Sequence, residues 1–133
     1  MTVAPAQLIK KAEEARERAH APYSGFTVGA ALLTVSGAVF TGCNVENASF
    51  GATICAERVA VGSMVAAGEK EIAAIAVVAG KEGERASGVV PCGICLQVLA
   101  EFAKPLTPVI TLDEKGGLNL TTLSELLPKA FKL

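Results

Sequence analysis

The 133 residues suffice for one hydrophobic core, and folding a chain of this size buries roughly two-thirds of the surface its unfolded form exposes. Twelve basic against thirteen acidic side chains leave a formal net charge of −1, with no basic run longer than Lys10-Lys11. A surface built to track nucleic-acid phosphates is thereby excluded, and a small neutral ligand fits better. The 51% hydrophobic content, rich in Ala and Val, suits close packing within or between subunits, yet the longest apolar run, residues 72–80, is about half the roughly 20 residues a membrane span needs.

Leu8, Ile9, Ala12, Ala15 and Ala19 recur at helical spacing, so residues 5–20 read as an amphipathic first helix. Its charged side, Lys10, Lys11, Glu13, Glu14, Arg16, Glu17 and Arg18, is unlike a basic-then-apolar leader, and a cytoplasmic protein is expected. Pro22, Ser24 and Gly25 break the helix. Residues 27–34 and 38–44 read as two strands joined at Ser36-Gly37. A polar loop over residues 46–52 leads to Thr53, the expected N-cap of a helix over residues 55–67 that Gly68 closes. Residues 72–79 read as a strand buried on both faces. Beyond a charged loop, Pro91 pre-sets a helix over residues 92–103, ended before Pro105. Residues 108–112 read as another strand, Gly116-Gly117 as a turn, and residues 122–127 as a short helix stopped by Pro128. With no repeat or linker, one domain is expected over residues 1–133, an α/β sheet with helices on both faces, that is, a three-layer α/β/α sandwich.

Four cysteines in an unexported chain suit metal or thiol chemistry better than a disulfide framework. Cys43 stands outside any pattern and reads as a small buried hydrophobe. Pro91-Cys92-Gly93-Ile94-Cys95 places two thiols three residues apart at a helix start, one edge of a tetrahedron, and Cys55 opens the preceding helix. Helix N-termini favour anions and so prepare thiolates. Three sulfurs from two helix starts make a Zn²⁺ site with an open fourth position. Glu57 lies two residues past Cys55 and does not share its helix face, so it reads as a carboxylate leaning over the open position, suited to proton transfer, with small Ala56 leaving room for a substrate. The competing readings are a structural metal site, for which His20 is the only histidine, and a C-x-x-C thiol redox pair.

Cys55-Ala56-Glu57-Arg58 followed by Pro91-Cys92-Gly93-Ile94-Cys95 closely resembles the small homotetrameric cytidine deaminases whose zinc site is all cysteine. Pro22-Tyr23-Ser24-Gly25-Phe26, Val28-Gly29-Ala30-Ala31, Asn44-Val45-Glu46-Asn47-Ala48-Ser49, Gln97-Val98-Leu99 and Leu126-Leu127-Pro128 with Phe131 carry the same likeness, over nearly the whole chain. The resemblance implies the cytidine deaminase-like fold with a mixed five-stranded sheet. It also implies Zn²⁺ on Cys55, Cys92 and Cys95, and hydrolytic deamination of free cytidine and 2′-deoxycytidine with Glu57 as proton shuttle. Phe26 should stack on the pyrimidine, backbone groups of Cys55 and Ala56 should meet the base, and Asn44 and Glu46 should hold the ribose 3′-hydroxyl. Strand residues two apart do point to one side, and an Asn with a Glu offers a hydroxyl both donor and acceptor. The resemblance further implies a homotetramer in which Phe50 and Phe131 enter a neighbour's site.

Two positions depart from the family pattern. Leu96 stands where Arg usually follows the last cysteine, and Phe50 where Tyr is common. Three thiolates around a dication carry a net charge of about −1, which opposes ionisation of the activated water. Arg58 is the nearest cation to offset it, so with Leu96 a more basic water is expected than in relatives with two arginines. An aminonucleoside antibiotic such as blasticidin S is the alternative substrate within the same chemistry, and the Asn44, Glu46 and Asn47 cluster favours ordinary nucleosides.

Overall fold

Residues 3–133 are described by a computed structural model. Helix α1 (Pro5–Arg16) begins on a proline, whose missing N–H costs nothing in a first turn, and it buries Leu8, Ile9 and Ala12. It stops short of residue 20 because the backbone there has other partners. The His20 N–H donates to the Asn44 carbonyl at 3.0 Å, and the His20 carbonyl accepts the Glu46 N–H at 2.8 Å. That exchange lashes the loop after α1 to residues 44–46.

Strands β1 (Phe26–Thr34) and β2 (Val39–Cys43) form the expected hairpin, turning through Gly37 at φ +93°. Helix α2 (Ala56–Ala66) leads to β3 (Ile72–Lys81), which pairs antiparallel with the other edge of β1. Helix α3 (Gly93–Phe102) then carries the chain back, so that β4 (Pro108–Leu112) runs parallel to β3. A fifth strand, β5 (Leu118–Thr122), pairs antiparallel with β4 and completes the order β2-β1-β3-β4-β5. The sequence pattern predicts no strand over residues 118–121, and Thr122, expected to open the last helix, ends this strand. The terminal helix α4 (Leu123–Leu126) accordingly starts one residue later than expected, with Thr122 as its N-cap accepting the Glu125 N–H at 3.3 Å.

Strand alternation divides the core into two layers. Ala30, Leu32, Ile75 and Val77 face α2, α3 and α4, packing against Ala60, Met64, Leu99 and Leu123. Ala31, Leu33, Ala76 and Val78 face the opposite way, onto Leu8, Ile9 and Ala12 of α1. The result is the α/β/α sandwich expected, with a mixed five-stranded sheet.

Gly42 sets how closely α2 lies on the sheet. A Cβ there would fall 2.4 Å from the Ala56 carbonyl oxygen and 2.6 Å from the Ala60 nitrogen, both backbone atoms of α2. Gly42→Ala is therefore expected to push the first turn of α2 off β2, destabilising the protein by roughly 1–3 kcal/mol. A thermal melt indistinguishable from the parent's would contradict that close approach.

Candidate active site

Two helix starts build the site. Cys55 is the N-cap of α2, extended at φ −76° and ψ 154°, and Cys92 is the N-cap of α3, at φ −69° and ψ 169°. Thr53 does not take the cap position expected of it; its hydroxyl instead accepts the Asn47 N–H at 3.1 Å. Pro91 likewise stands before the cap, outside the helical turn. Neither side chain makes the cap hydrogen bond a serine would make there; Cys92 Sγ meets Cys95 Sγ and Cys55 Sγ meets Arg58 Nη2 instead.

Cys95, inside the first turn of α3, brings the third sulfur. The Sγ atoms of Cys55, Cys92 and Cys95 all lie within 4.8 Å of one another, and those of Cys92 and Cys95 are 3.6 Å apart. Sulfurs sharing one tetrahedral zinc at ~2.3 Å would be about 3.8 Å apart, so the Cys92–Cys95 pair matches one edge of that tetrahedron, with Cys55 Sγ close by as the third donor. Among the described residues no fourth His, Cys, Asp or Glu joins the cluster, and Glu57 is not a member of it. Three soft ligands and an open position are the donor set of a catalytic rather than a structural zinc.

Charge around the sulfurs calls for a cation. Burial pushes the Cys95 thiol up, helped by the Glu57 carboxylate and Cys55 beside it. Burial acts the same way on Cys92, but N–H groups of Cys95 and Ile94 at the helix start, with the neighbouring thiols, bring it down overall. Arg58 Nη2 sits 3.8 Å from Cys55 Sγ and donates to the Thr53 carbonyl at 3.3 Å. Its Nε is the one buried side-chain nitrogen or oxygen without a partner among the described residues. A guanidinium so placed counters negative charge on the sulfurs.

Glu57, on the first turn of α2, is only 4% exposed. Burial raises its pKa, against its own backbone N–H, the Arg58 charge and a hydrogen bond with the Cys95 thiol. Ala56, fully buried, separates it from Cys55.

Phe26, Asn44 and Glu46 come together at the mouth of the β1–β2 hairpin. Asn44, 7% exposed, straps the two strands: Oδ1 accepts the Val28 N–H at 2.8 Å and Nδ2 donates to the Phe26 carbonyl at 2.9 Å. Glu46 Oε1 accepts the N–H groups of Tyr23 and Ser24 at 2.9 and 3.1 Å, and Oε2 accepts the Ser24 hydroxyl. The Ser24 hydroxyl, ahead of the two N–H groups, holds the Glu46 carboxyl below the usual range. A two-way backbone bridge between Val45 and Ile54, at 2.9 and 3.0 Å, then joins this cluster to the segment that carries Cys55.

Phe50 and Phe131 are 77% and 70% exposed, far more than rings of a finished core. Phe50 meets Tyr23 edge to face at 6.0 Å, and the two line one pocket with Ser24, Glu46 and Thr53. Gln97 pins the tail that carries Phe131 from both sides, donating to its carbonyl at 3.0 Å and accepting its N–H at 3.2 Å. Cys43 is half-buried and outside the sulfur cluster. Leu96 is 7% exposed and packs in the core, leaving Arg58 as the guanidinium at the sulfurs. Local sequence pattern does not point to the linking roles of Ser24 and Gln97. Each depends on a partner more than twenty residues away, which a local pattern does not reveal.

A family model described as the cytidine and deoxycytidylate deaminase zinc-binding region matches residues 4–111. A cytidine deaminase of Sporosarcina psychrophila is 46% identical over 125 residues, 94% of this chain and 89% of that protein. The crystal structure of a cytidine deaminase from Burkholderia pseudomallei superposes with a TM-score of 0.87 at 47% identity, covering 97% of this chain and all of that one. A blasticidin-S deaminase of Bacillus cereus is more distant, at 34% identity over 105 residues, 76% of this chain and 74% of that protein. A matching family model over most of its length, and relatives alike in sequence and in fold, make this chain a member of the cytidine and deoxycytidylate deaminase family.

Proposed function

We propose that this chain hydrolyses free cytidine and 2′-deoxycytidine to the uracil nucleosides and ammonia, in the manner of nucleoside salvage, as one catalytic unit per chain in the cytoplasm. The observation that carries this reading is the sulfur triad with an open position, beside a buried carboxylate that is not part of the cluster. Cys55, Cys92 and Cys95 would hold zinc, which when bound supplies Lewis acidity and lowers the pKa of water.

Glu57 performs the proton chemistry. It takes a proton from the attacking water, delivers it to N3 of the pyrimidine, and then assists proton transfer to the amine leaving C4. Burial suits it to this duty, because a carboxyl with a raised pKa holds a proton long enough to hand it on. Arg58 counters the charge of the sulfurs. Phe26 stacks on the base, and backbone groups of Cys55 and Ala56 meet its polar edge.

Asn44 and Glu46 have limited capacity left for a sugar. Glu46 already accepts three donors of about four a carboxylate takes, and Asn44 has spent one lone pair and one N–H on β1. One acceptor site on Glu46, and one N–H and one lone pair on Asn44, remain for a sugar hydroxyl to bond. The 3′-hydroxyl, common to both nucleosides, is the group this pair is read as holding. Phe50 and Phe131 are read as belonging to a neighbour's site in a homotetramer, a role that suits their exposed rings.

Ultraviolet monitoring of purified, zinc-quantified protein tests the whole reading. Cytidine and 2′-deoxycytidine should be consumed at comparable rates, with cytosine and blasticidin S far behind; turnover of blasticidin S alone would overturn it. Leu96→Arg tests the charge around the sulfurs. It should move the acid limb of the pH–rate profile to lower pH, and coincident profiles would remove Leu96 from the account.

A further inference from the structure

Ser24 lies in the exposed turn between α1 and β1, and its hydroxyl touches both halves of the substrate cluster. It donates to Glu46 Oε2 and accepts the Phe26 N–H at 3.0 Å. Oε1 of Glu46 is held by two backbone N–H groups, whereas among the described residues Oε2 has the Ser24 hydroxyl as its partner. Without that hydroxyl the carboxylate is free to pivot about Oε1. Phe26 is less dependent on it, because its carbonyl keeps the Asn44 amide at 2.9 Å and its strand position keeps its pairing with Lys81.

We infer that Ser24 is a positioning residue for sugar recognition: its hydroxyl fixes the Glu46 carboxylate so that the remaining acceptor site faces the nucleoside 3′-hydroxyl. The inference rests on the proposed role of Glu46. The same contact holds the Glu46 carboxyl below its ordinary value, and the ionised carboxylate meets a sugar hydroxyl purely as an acceptor. The sugar contact exists before and throughout the reaction, so weakening it acts on KM and leaves kcat in place.

The test compares 2′-deoxycytidine with 3′-deoxycytidine, which lacks the hydroxyl in question, on Ser24→Ala, Ser24→Thr and Glu46→Gln. Ser24→Ala should raise KM for 2′-deoxycytidine roughly tenfold with kcat within about twofold, and should leave KM for 3′-deoxycytidine as in the parent. Ser24→Thr, which retains the hydroxyl, should restore the parent values. The ratio of kcat/KM for the two substrates within one preparation is independent of how much of the variant is folded. An unchanged KM for Ser24→Ala, or an equal penalty on both substrates while Glu46→Gln discriminates between them, overturns the inference alone. A Glu46→Gln penalty equal on both substrates removes Glu46 from the 3′-hydroxyl, and the inference falls with it.

Discussion

Glu57→Gln is expected to lower kcat by about a hundred- to ten-thousandfold, the usual contribution of a positioned acid–base group, while leaving the melting temperature unchanged or higher. Glutamine keeps the shape and hydrogen bonding of the side chain and removes its capacity to move protons. The stability half follows from burial. Glu57 is 4% exposed and its folded pKa lies above its ordinary value of 4.5. The folded state therefore binds this proton more tightly than the unfolded state, and the fold loses stability as pH rises from the ordinary value through the raised one. Glutamine has no proton to lose. In metal-free protein its stabilising effect should be absent below the ordinary carboxylate pKa and grow as pH rises. Steady-state kinetics and calorimetric melts across pH check both halves together. Retention of more than about a tenth of turnover would take Glu57 out of the mechanism.

Removal of the metal should have an effect as large. Chelation is expected to abolish turnover and lower the melting temperature, and about one equivalent of zinc per chain should restore both. Three thiols crowd within 4.8 Å, and one of them, Cys95, is fully buried beside the Glu57 carboxylate. A dication lets all three sulfurs bind as thiolates. Cys95→Ala should lose zinc and activity together, since two sulfurs leave the ion underheld. Elemental analysis alongside turnover measures this. A metal-free preparation with full activity would defeat the reading at its root.

Legibility in the sequence followed how local each determinant is. The sulfur triad with Glu57 is legible because the C-x-x-C spacing sets two thiols a turn apart after Pro91 and the two cysteine motifs together carry the family resemblance, and β1 and β3 are legible from their apolar runs. β5 is not, since Leu118 and Leu120 remain 41% and 55% exposed on an edge strand, so burial enforces no apolar face there. The end of α1 was overrun because Ala19 continues the helical period, whereas His20 is claimed by Asn44 and Glu46. Arg16 shows the same limit. Read as one more charge on a solvated face, it instead donates from Nε to the Thr27 carbonyl at 3.2 Å and from Nη2 to the Lys81 carbonyl at 2.8 Å. Such contacts depend on tertiary placement, which periodicity does not encode.

Placing cysteine at the head of both α2 and α3 has a wider consequence. Serine there would ordinarily cap its helix, an interaction worth about 1 kcal/mol that neither thiol makes. The chain thus accepts two poorly finished helix ends as the condition of reactivity. A duplicated copy released from selection for catalysis would have a short route to a sturdier, inert descendant, through serine at those same two positions.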